Sequence, residues 1–155
     1  MFQRILVAID GSAVSILALH EALRLAKDGS KVKVVTMVEN PLIGYGQPLA
    51  EFNHETMHHA LIAEGTHILS NAENDAKHLG HCTIETQLID MEHRAASDTA
   101  PAIMHAAAEF QADLIVIGTH GRHGIKRFFL GSVAEAVIRQ SRIPVLSIRG
   151  EPELE

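Results

Sequence analysis

The segment best suited to bind a ligand follows an apolar run at residues 114–117. Gly118-Thr-His-Gly121 comes directly after this run, and Gly131-Ser132 opens a predicted helix after nine further residues. Glycine lets a ligand approach main-chain N–H groups without a Cβ atom in the way. The start of a helix adds unpaired N–H groups and a partial positive charge, and Ser132 adds a hydroxyl donor. These residues at this spacing predict a phosphate site.

The charges around this segment also favour an anion. Between Asp113 and Glu135 the formal charges are those of Arg122, Lys126 and Arg127, whereas the whole chain has a formal net charge of -6. Glycine-rich turns and surface cations are nevertheless common in proteins that bind nothing there. Local chemistry alone therefore leaves both a phosphate site and a plain turn open.

A second pattern, at residues 54–58, matches the zinc motif H-E-x-x-H, which places two imidazoles one helical turn apart. A catalytic zinc also needs a third protein ligand, but Glu64 stands where one extended form of the motif has histidine. His67 and His78, the next histidines, are expected on the same helix, so they cannot turn back to become the third zinc ligand. We therefore assign no catalytic residue, and treat His54 and His58, with His59, as adventitious zinc or nickel ligands.

Strands and helices alternate along the chain and must position these residues. Continuous apolar runs predict buried strands, and apolar residues spaced by three and four predict helices. The helix at 101–110 is expected to begin as early as Ser97. The predicted elements are strand 4–9, helix 12–28, strand 32–38, loop 39–49, helix 51–79, strand 83–90, helix 101–110, strand 114–117, helix 132–140 and strand 145–148.

This alternation predicts a single α/β domain at residues 1–150, followed by an acidic tail at 151–155. Strands joined by helices pair in parallel, with helices on both faces of the sheet. The apolar strands before Asp10 and up to Gly118 are predicted to be central neighbours, and strand 83–90 to lie at an edge. Ligands bind such sheets beyond the carboxyl ends of the strands, where the winding reverses.

The glycine segment and its flanks resemble the ATP-binding members of the universal stress protein family. Gly118-x2-Gly121-x9-Gly131-Ser132 is similar to the family motif G-2x-G-9x-G-S. The resemblance extends through residues 133–135 and 143–146, and at the other end through residues 4–12. It implies an open five-stranded parallel sheet in the order 3-2-1-4-5, with helices on both faces and ATP at the carboxyl ends of the strands.

The same resemblance implies a role for each matched residue. Asp10 would accept hydrogen bonds from the ribose hydroxyls, and Met37 would contact the adenine edge. Main-chain N–H groups of residues 131–133 would bind the β- and γ-phosphates. The implied nucleotide-binding residues are Ala8, Ile9, Asp10, Met37, Ile117, Gly118, Gly121, Arg122, Gly131, Ser132 and Val133.

Simpler roles remain open for three of these residues. Asp10 follows a predicted strand and could cap the helix that begins near Ser12. Met37 could be a core side chain whose backbone alone faces the site. Arg122 could contact either phosphate or solvent.

Mg²⁺ or Mn²⁺ could accompany ATP by bridging its phosphates. The chain has no G-x-x-x-x-G-K-[ST] segment to bring a lysine to the phosphates, so any ATP hydrolysis is expected to be slow. His120 is a hypothetical residue for ordering the attacking water.

Composition excludes several other classes of function. The net charge of -6 argues against nucleic acid as a partner, and no apolar stretch approaches the roughly 20 residues that would insert into a membrane. The single cysteine, Cys82, cannot form an internal disulfide, which favours the reducing cytoplasm.

The sequence therefore predicts a nucleotide-dependent regulator of the stress response that binds ATP. The resemblance implies a homodimer joined near strand 145–148. The alternatives are a nucleotide-free dimeric interaction module of the same fold, a slow ATPase and a cyclic AMP binder.

Overall fold

The computed structural model describes residues 2–39, 53–79, 81–120 and 130–150. These residues form the predicted succession of strands and helices, with one added 3-10 turn before the third helix. The elements are β1 (Arg4–Ala8), α1 (Ala13–Leu25), β2 (Lys31–Glu39), α2 (His54–Leu79), β3 (Thr83–Met91), the 3-10 turn (Ala96–Asp98), α3 (Thr99–Phe110), β4 (Leu114–Gly118), α4 (Ser132–Gln140) and β5 (Val145–Ile148).

All five strands are parallel, in the order β3-β2-β1-β4-β5. The predicted sheet order is therefore confirmed, including the central pairing of β1 with β4 and the edge position of β3. Ala8 is level with Val35 of β2 on one side and with Ile117 of β4 on the other. This register puts the carboxyl ends of the three central strands side by side.

Several predicted boundaries were wrong by a few residues. β1 ends at Ala8 rather than Ile9, although the Ile9 N–H still donates to the Val35 carbonyl over 2.9 Å. β2 is one residue longer at each end than predicted, β3 extends to Met91, and β4 extends to Gly118. The predicted loop 39–49 begins inside β2, and its other residues lie outside the described part of the chain.

The predicted helix ends also shift. α1 ends at Leu25, three residues before the predicted end, because Ala26 takes an extended backbone with ψ 142°. α2 begins at His54, and residues 51 and 52 are outside the described ranges. α3 begins at Thr99, which places Pro101 in the first helical turn, where an N–H has no acceptor within the helix.

The sheet separates two apolar cores. Alternate side chains of β1 enter different cores: Ile5 and Val7 pack on the face covered by α1 and α2, whereas Leu6 and Ala8 pack on the face covered by α3 and α4. All four are at most 6% exposed. Burial on both faces is the reason that β1 from Ile5 onward and all of β4 are apolar in sequence.

Helix α2 approaches the sheet closely at Gly65. A Cβ atom there would lie 3.0 Å from side-chain carbons of both Leu88 and Val38. Further along α2, the Glu73 carboxylate accepts a hydrogen bond from the Thr86 hydroxyl of β3 over 2.8 Å. These two contacts fix how far α2 lies from the sheet and its position along β3.

The part of the chain that the structure describes has no helix that is both long and apolar enough to cross a lipid bilayer.

We expect Gly65→Leu to lower the free energy of unfolding by about 1–3 kcal/mol, the usual cost of overpacking a core. The new side chain would meet Leu88 and Val38. Ala63→Leu is the matched control, because Ala63 is exposed on the same helix and should tolerate leucine. Urea unfolding would measure both variants. Equal stability of the two would show that α2 does not depend on this close approach.

Candidate functional site

The carboxyl ends of β1, β2 and β4 bring most of the predicted site residues to one edge of the sheet. Asp10 lies two residues beyond the Ala8–Ile117 pair, and Gly118 lies one residue beyond it. Met37 lies two residues beyond Val35, which pairs with Ala8 on the other side. The topological switch point predicted from the sequence is therefore between β1 and β4.

Asp10 begins a compact turn that leads into α1. Its Oδ1 accepts a hydrogen bond from the Ser12 N–H over 2.9 Å, and its own N–H donates to Ser15 Oγ over 3.2 Å. Gly11 between them has φ +81°, a conformation that glycine adopts without strain. Ser12 is the N-cap of α1, as predicted, and its Oγ accepts from the Ser15 N–H over 3.3 Å.

This turn gives Asp10 a structural role that is close to the helix-capping role considered from the sequence. The carboxylate does not cap α1 itself, since Ser12 does, but it holds the residue before the helix. One carboxylate oxygen is thereby oriented by the backbone, which fixes the direction of the side chain at the switch point.

Gly118 allows α1 and β4 to come together across the switch point. A Cβ atom on Gly118 would lie 3.0 Å from Val14 Cγ1 and 3.3 Å from the Val14 carbonyl carbon. The nearby Gly150 is packed as closely, because a Cβ atom there would lie 2.8 Å from Val14 Cγ2. The small size of Gly118 is therefore a packing requirement in this fold, whatever ligand the edge binds.

The start of α4 is tied to the end of β4 by a backbone hydrogen bond. The Gly131 N–H donates to the Thr119 carbonyl over 2.7 Å, and the Thr119 N–H in turn donates to the Ile148 carbonyl over 2.8 Å. A Cβ atom on Gly131 would lie 3.0 Å from the same Thr119 oxygen. The first turn of α4 is thus held beside the switch point.

The N-terminus of α4 has the properties of an anion site. Its N-cap is Gly131, which offers no side-chain hydrogen bond to the first turn. The first helical N–H groups, from Ser132 to Ala134, have no acceptor within the helix, and they carry the positive end of the helix dipole. The Ser132 side chain is exposed, so its hydroxyl is accessible next to these groups.

The remaining predicted residues divide into three groups. Ala8, Ile9 and Ile117 have buried side chains, so only their main-chain atoms could contact a ligand. Met37 is half-buried and packs against the core on the α3 and α4 side, and Val133 does the same. Gly121 and Arg122 lie outside the described residues.

Three residues that the sequence interpretation did not select contribute to this edge. Thr119 provides the carbonyl that anchors α4, and its hydroxyl lies 2.8 Å from His120 Nδ1. Ser15 joins Asp10 to the first turn of α1, and Val14 fills the space that two glycines leave. Thr119 could have been suspected from its place inside the glycine motif, but the other two require the three-dimensional packing.

In the described part of the chain, the two histidines of the H-E-x-x-H pattern do not belong to one metal-binding group. Among the described residues, one group could hold a metal ion, and it joins His58 to Asp90 and Glu92. His54, at the first residue of α2, is exposed and is not part of this group. Sequence reasoning found His58 but missed both carboxylates, which follow 32 residues or more further along the chain.

Cys82 lies away from both of these places, immediately before β3 and therefore at the amino end of the sheet. Burial raises the pKa of its thiol above the ordinary value, which disfavours the reactive thiolate. The cysteine thus has neither the position nor the ionisation expected of a nucleophile at this site.

Comparison with known proteins identifies close similarity over almost the whole chain. The sequence profile of the universal stress protein family matches residues 1–149. A universal stress protein of Methanocaldococcus jannaschii is 32% identical over 151 residues, spanning 96% of this chain and 83% of that protein. The universal stress protein YxiE of Bacillus subtilis is 32% identical over 155 residues, spanning 96% of this chain and all of that protein.

Solved structures show the same fold. UspA from Lactobacillus plantarum superimposes with a TM-score of 0.78 at 20% identity, covering 95% of this chain and 97% of that one. A universal stress protein in complex with cAMP gives 0.64 at 27% identity, covering 95% and 96%. One from Archaeoglobus fulgidus in complex with dAMP gives 0.63 at 26% identity, covering 94% and 97%.

We expect Ser12→Ala to lower the free energy of unfolding by about 1 kcal/mol, because the Ser15 N–H loses its side-chain acceptor. Ser12→Asn should retain most of the stability, since asparagine caps helices well. Ser70→Ala is the control for serine loss at an exposed position inside α2. Chemical unfolding of all three would test the cap, and equal stabilities for Ser12→Ala and Ser70→Ala would contradict it.

Proposed function

The chain belongs to the universal stress protein family, and we propose that it is an ATP-binding regulator in the stress response. Its conformation or its association with other proteins would depend on the bound nucleotide. The observation that supports this most directly is the anchoring of the α4 N-terminus to Thr119, beside the switch point of the sheet.

The phosphates would bind at the first turn of α4. The N–H groups of residues 131–133 and the Ser132 hydroxyl supply donors, and the helix dipole supplies a favourable field. Gly131 already uses its N–H for Thr119, so the main donors to phosphate would be Ser132 and Val133. A Mg²⁺ or Mn²⁺ ion would arrive on the phosphates themselves, and no side chain is assigned to it.

The ribose and base would extend from α4 towards β1 and β2. Asp10 presents a carboxylate at the end of β1, held in direction by the Ser12 N–H. Ligands bind a doubly wound sheet at its switch point, and a carboxylate there can accept hydrogen bonds from ribose hydroxyls. The backbone of Ala8 and Ile9 and the end of β2 at Met37 would then border the adenine.

The ligands of relatives are in keeping with an adenine nucleotide. Two of the solved universal stress proteins similar to this chain were determined with cAMP and with dAMP. We favour ATP for this chain because the G-2x-G-9x-G-S spacing is present and because the N–H groups of Ser132 and Val133, with the Ser132 hydroxyl, give the first turn of α4 several donors for phosphate. Gly121 and Arg122 would complete the phosphate site.

A homodimer formed along β5 is the second part of the proposal. In the described sheet β5 pairs with β4 on one side only. Pro144 and Ile148 direct their carbonyls to β4, so the main-chain groups of Val145 and Ser147 point to the free edge. An apolar edge strand of this kind is suited to pair with a second copy across a two-fold axis. A cytoplasmic location goes with this proposal.

The nucleotide site can be tested by placing a negative charge on it. We expect ATP at a hundredfold excess over its Kd to stabilise the protein by about 2.7 kcal/mol, seen as a rise in Tm of about 5–10 °C. Ser132→Glu should keep the fold, because a carboxylate is favourable at a helix N-terminus, yet repel the phosphates. It should remove most of the ATP shift and leave the shift with adenosine unchanged.

Gln140→Glu is the matched control, because it adds the same charge at the exposed opposite end of α4. It should retain the ATP shift. Cyclic AMP and GTP in the same experiment rank the ligands and would identify a cyclic nucleotide binder. If no nucleotide shifts the wild type and none co-purifies with it, the nucleotide-free interaction module replaces this proposal.

The dimer can be tested at the free edge. Ser147→Pro removes an outward N–H but none that bonds to β4, and proline is tolerated on edge strands. We expect light scattering to give a mass of two 16.9 kDa chains for the wild type and of one chain for Ser147→Pro, with unchanged circular dichroism. A monomeric wild type, or a dimeric variant, would rule out pairing through β5.

A further inference from the structure

Three side chains, one from α2, one from β3 and one from the turn after β3, converge on the surface where α2 begins and β3 ends. His58 Nε2 lies 3.1 Å from Asp90 Oδ2 and 3.5 Å from Glu92 Oε2. One ligand atom from each residue lies within 4.8 Å of both others. We propose that His58, Asp90 and Glu92 form a binding site for a divalent transition-metal ion such as Zn²⁺, separate from the nucleotide site.

The fold holds this group together by fixing α2 against β3. Leu88 and Thr86 face α2, where they contact Gly65 and Glu73. Side chains two residues apart on a strand share a face, so Asp90 also faces α2. The helix runs antiparallel to β3, and His58 in its second turn is therefore level with the end of the strand.

The backbone after β3 orients both carboxylates. Asp90 Oδ1 accepts a hydrogen bond from the Glu92 N–H over 2.9 Å, which leaves Oδ2 directed at His58. The chain then turns sharply, since the Arg94 N–H donates to the Met91 carbonyl over 2.9 Å. Glu92 lies in this turn, and its Oε2 is 3.5 Å from His58 Nε2.

The distances fit a small tetrahedral ion. Bonds of about 2.0–2.1 Å from Zn²⁺ to imidazole nitrogen and carboxylate oxygen put neighbouring ligand atoms about 3.3–3.4 Å apart. The two distances from His58 Nε2, 3.1 Å and 3.5 Å, lie on either side of this value. The distance between the two carboxylate ligand atoms is at most 4.8 Å. It would therefore need to shorten by at most about 1.5 Å to fit the same ion.

The ligand types and charges favour a transition metal. Imidazole nitrogen prefers zinc and its neighbours in the first transition row over calcium or magnesium, and two carboxylates balance a divalent charge. In the described part of the chain Asp90 and Glu92 form ion pairs with histidines alone. His93 is the other histidine beside this group, with its Nε2 3.8 Å from Glu92 Oε2.

A second histidine on the same turn of α2 provides a natural comparison. His59 Nε2 lies 3.9 Å from Glu55 Oε1, and both side chains are more than three-quarters exposed. His58, by contrast, is 22% exposed and contacts two carboxylates rather than one. A site of three convergent ligands should bind the metal more tightly than the His59–Glu55 pair.

The test is a titration of the nucleotide-free, untagged protein with Zn²⁺, followed by calorimetry and by NMR of the histidine ring nitrogens. We expect the tightest site to take one equivalent and to shift the Nε2 signal of His58 first. His58→Ala, and the double variant Asp90→Asn, Glu92→Gln, should each weaken this site by at least about tenfold. The double variant keeps the imidazole and an Oδ1 acceptor for the Glu92 N–H, so the turn should persist.

His59→Ala and Glu55→Gln are the matched controls and should leave the tightest site unchanged. If His59→Ala weakens it as much as His58→Ala does, the histidine-rich surface binds zinc without a specific site and the proposal is wrong. The proposal also fails if the double variant binds as tightly as the wild type, because His58 is then only an ion-pair partner of the carboxylates.

Discussion

The parallel pairing of β1 with β4 is the constraint on which the rest of the structure depends. From Ile5 to Ala8 and from Leu114 to Gly118 the two strands are buried on both faces and have no polar side chain, so these stretches contribute no side-chain chemistry from within the sheet. The helix that follows β1, α1, packs on one face of the sheet, whereas the helix that follows β4, α4, packs on the opposite face. Among the described residues, main-chain groups and the first polar residues beyond the strands are therefore the atoms available between β1 and β4, and the proposed nucleotide site draws on these.

Some of this arrangement could be predicted from the sequence, and the reasons are physical. The apolar runs of β1 and β4 and the helical spacing of α1 and α4 depend on neighbours along the chain, which a sequence displays directly. The strand order was inferred through the family resemblance. The closure of Thr119 on Gly131 and the packing of Val14 against Gly118 and Gly150 could not be predicted, because they join residues through backbone geometry rather than residue type.

The histidine pattern also shows that a sequence motif does not reveal contacts between distant parts of the chain. H-E-x-x-H describes neighbours on one helix, and it directed attention to His54 and His58. In the structure the partners of His58 are at the end of β3 and in the turn after it, and they are selected by the register that Gly65 and Glu73 impose on α2. The motif thus pointed to His58, whereas the side chains that His58 contacts could be identified only from the structure. The two proposed sites differ in kind, since backbone donors dominate at the switch point and side-chain ligands at the edge of the sheet.

The hydrogen bond from Gly131 to Thr119 also has a consequence for how the sequence of this protein can evolve. It holds the two ends of the intervening segment 2.7 Å apart, independently of what that segment contains. Lengthening a closed loop costs little additional entropy, because the closure term grows only with the logarithm of length. The sheet and its helices therefore place little constraint on the length or composition of the segment between these residues.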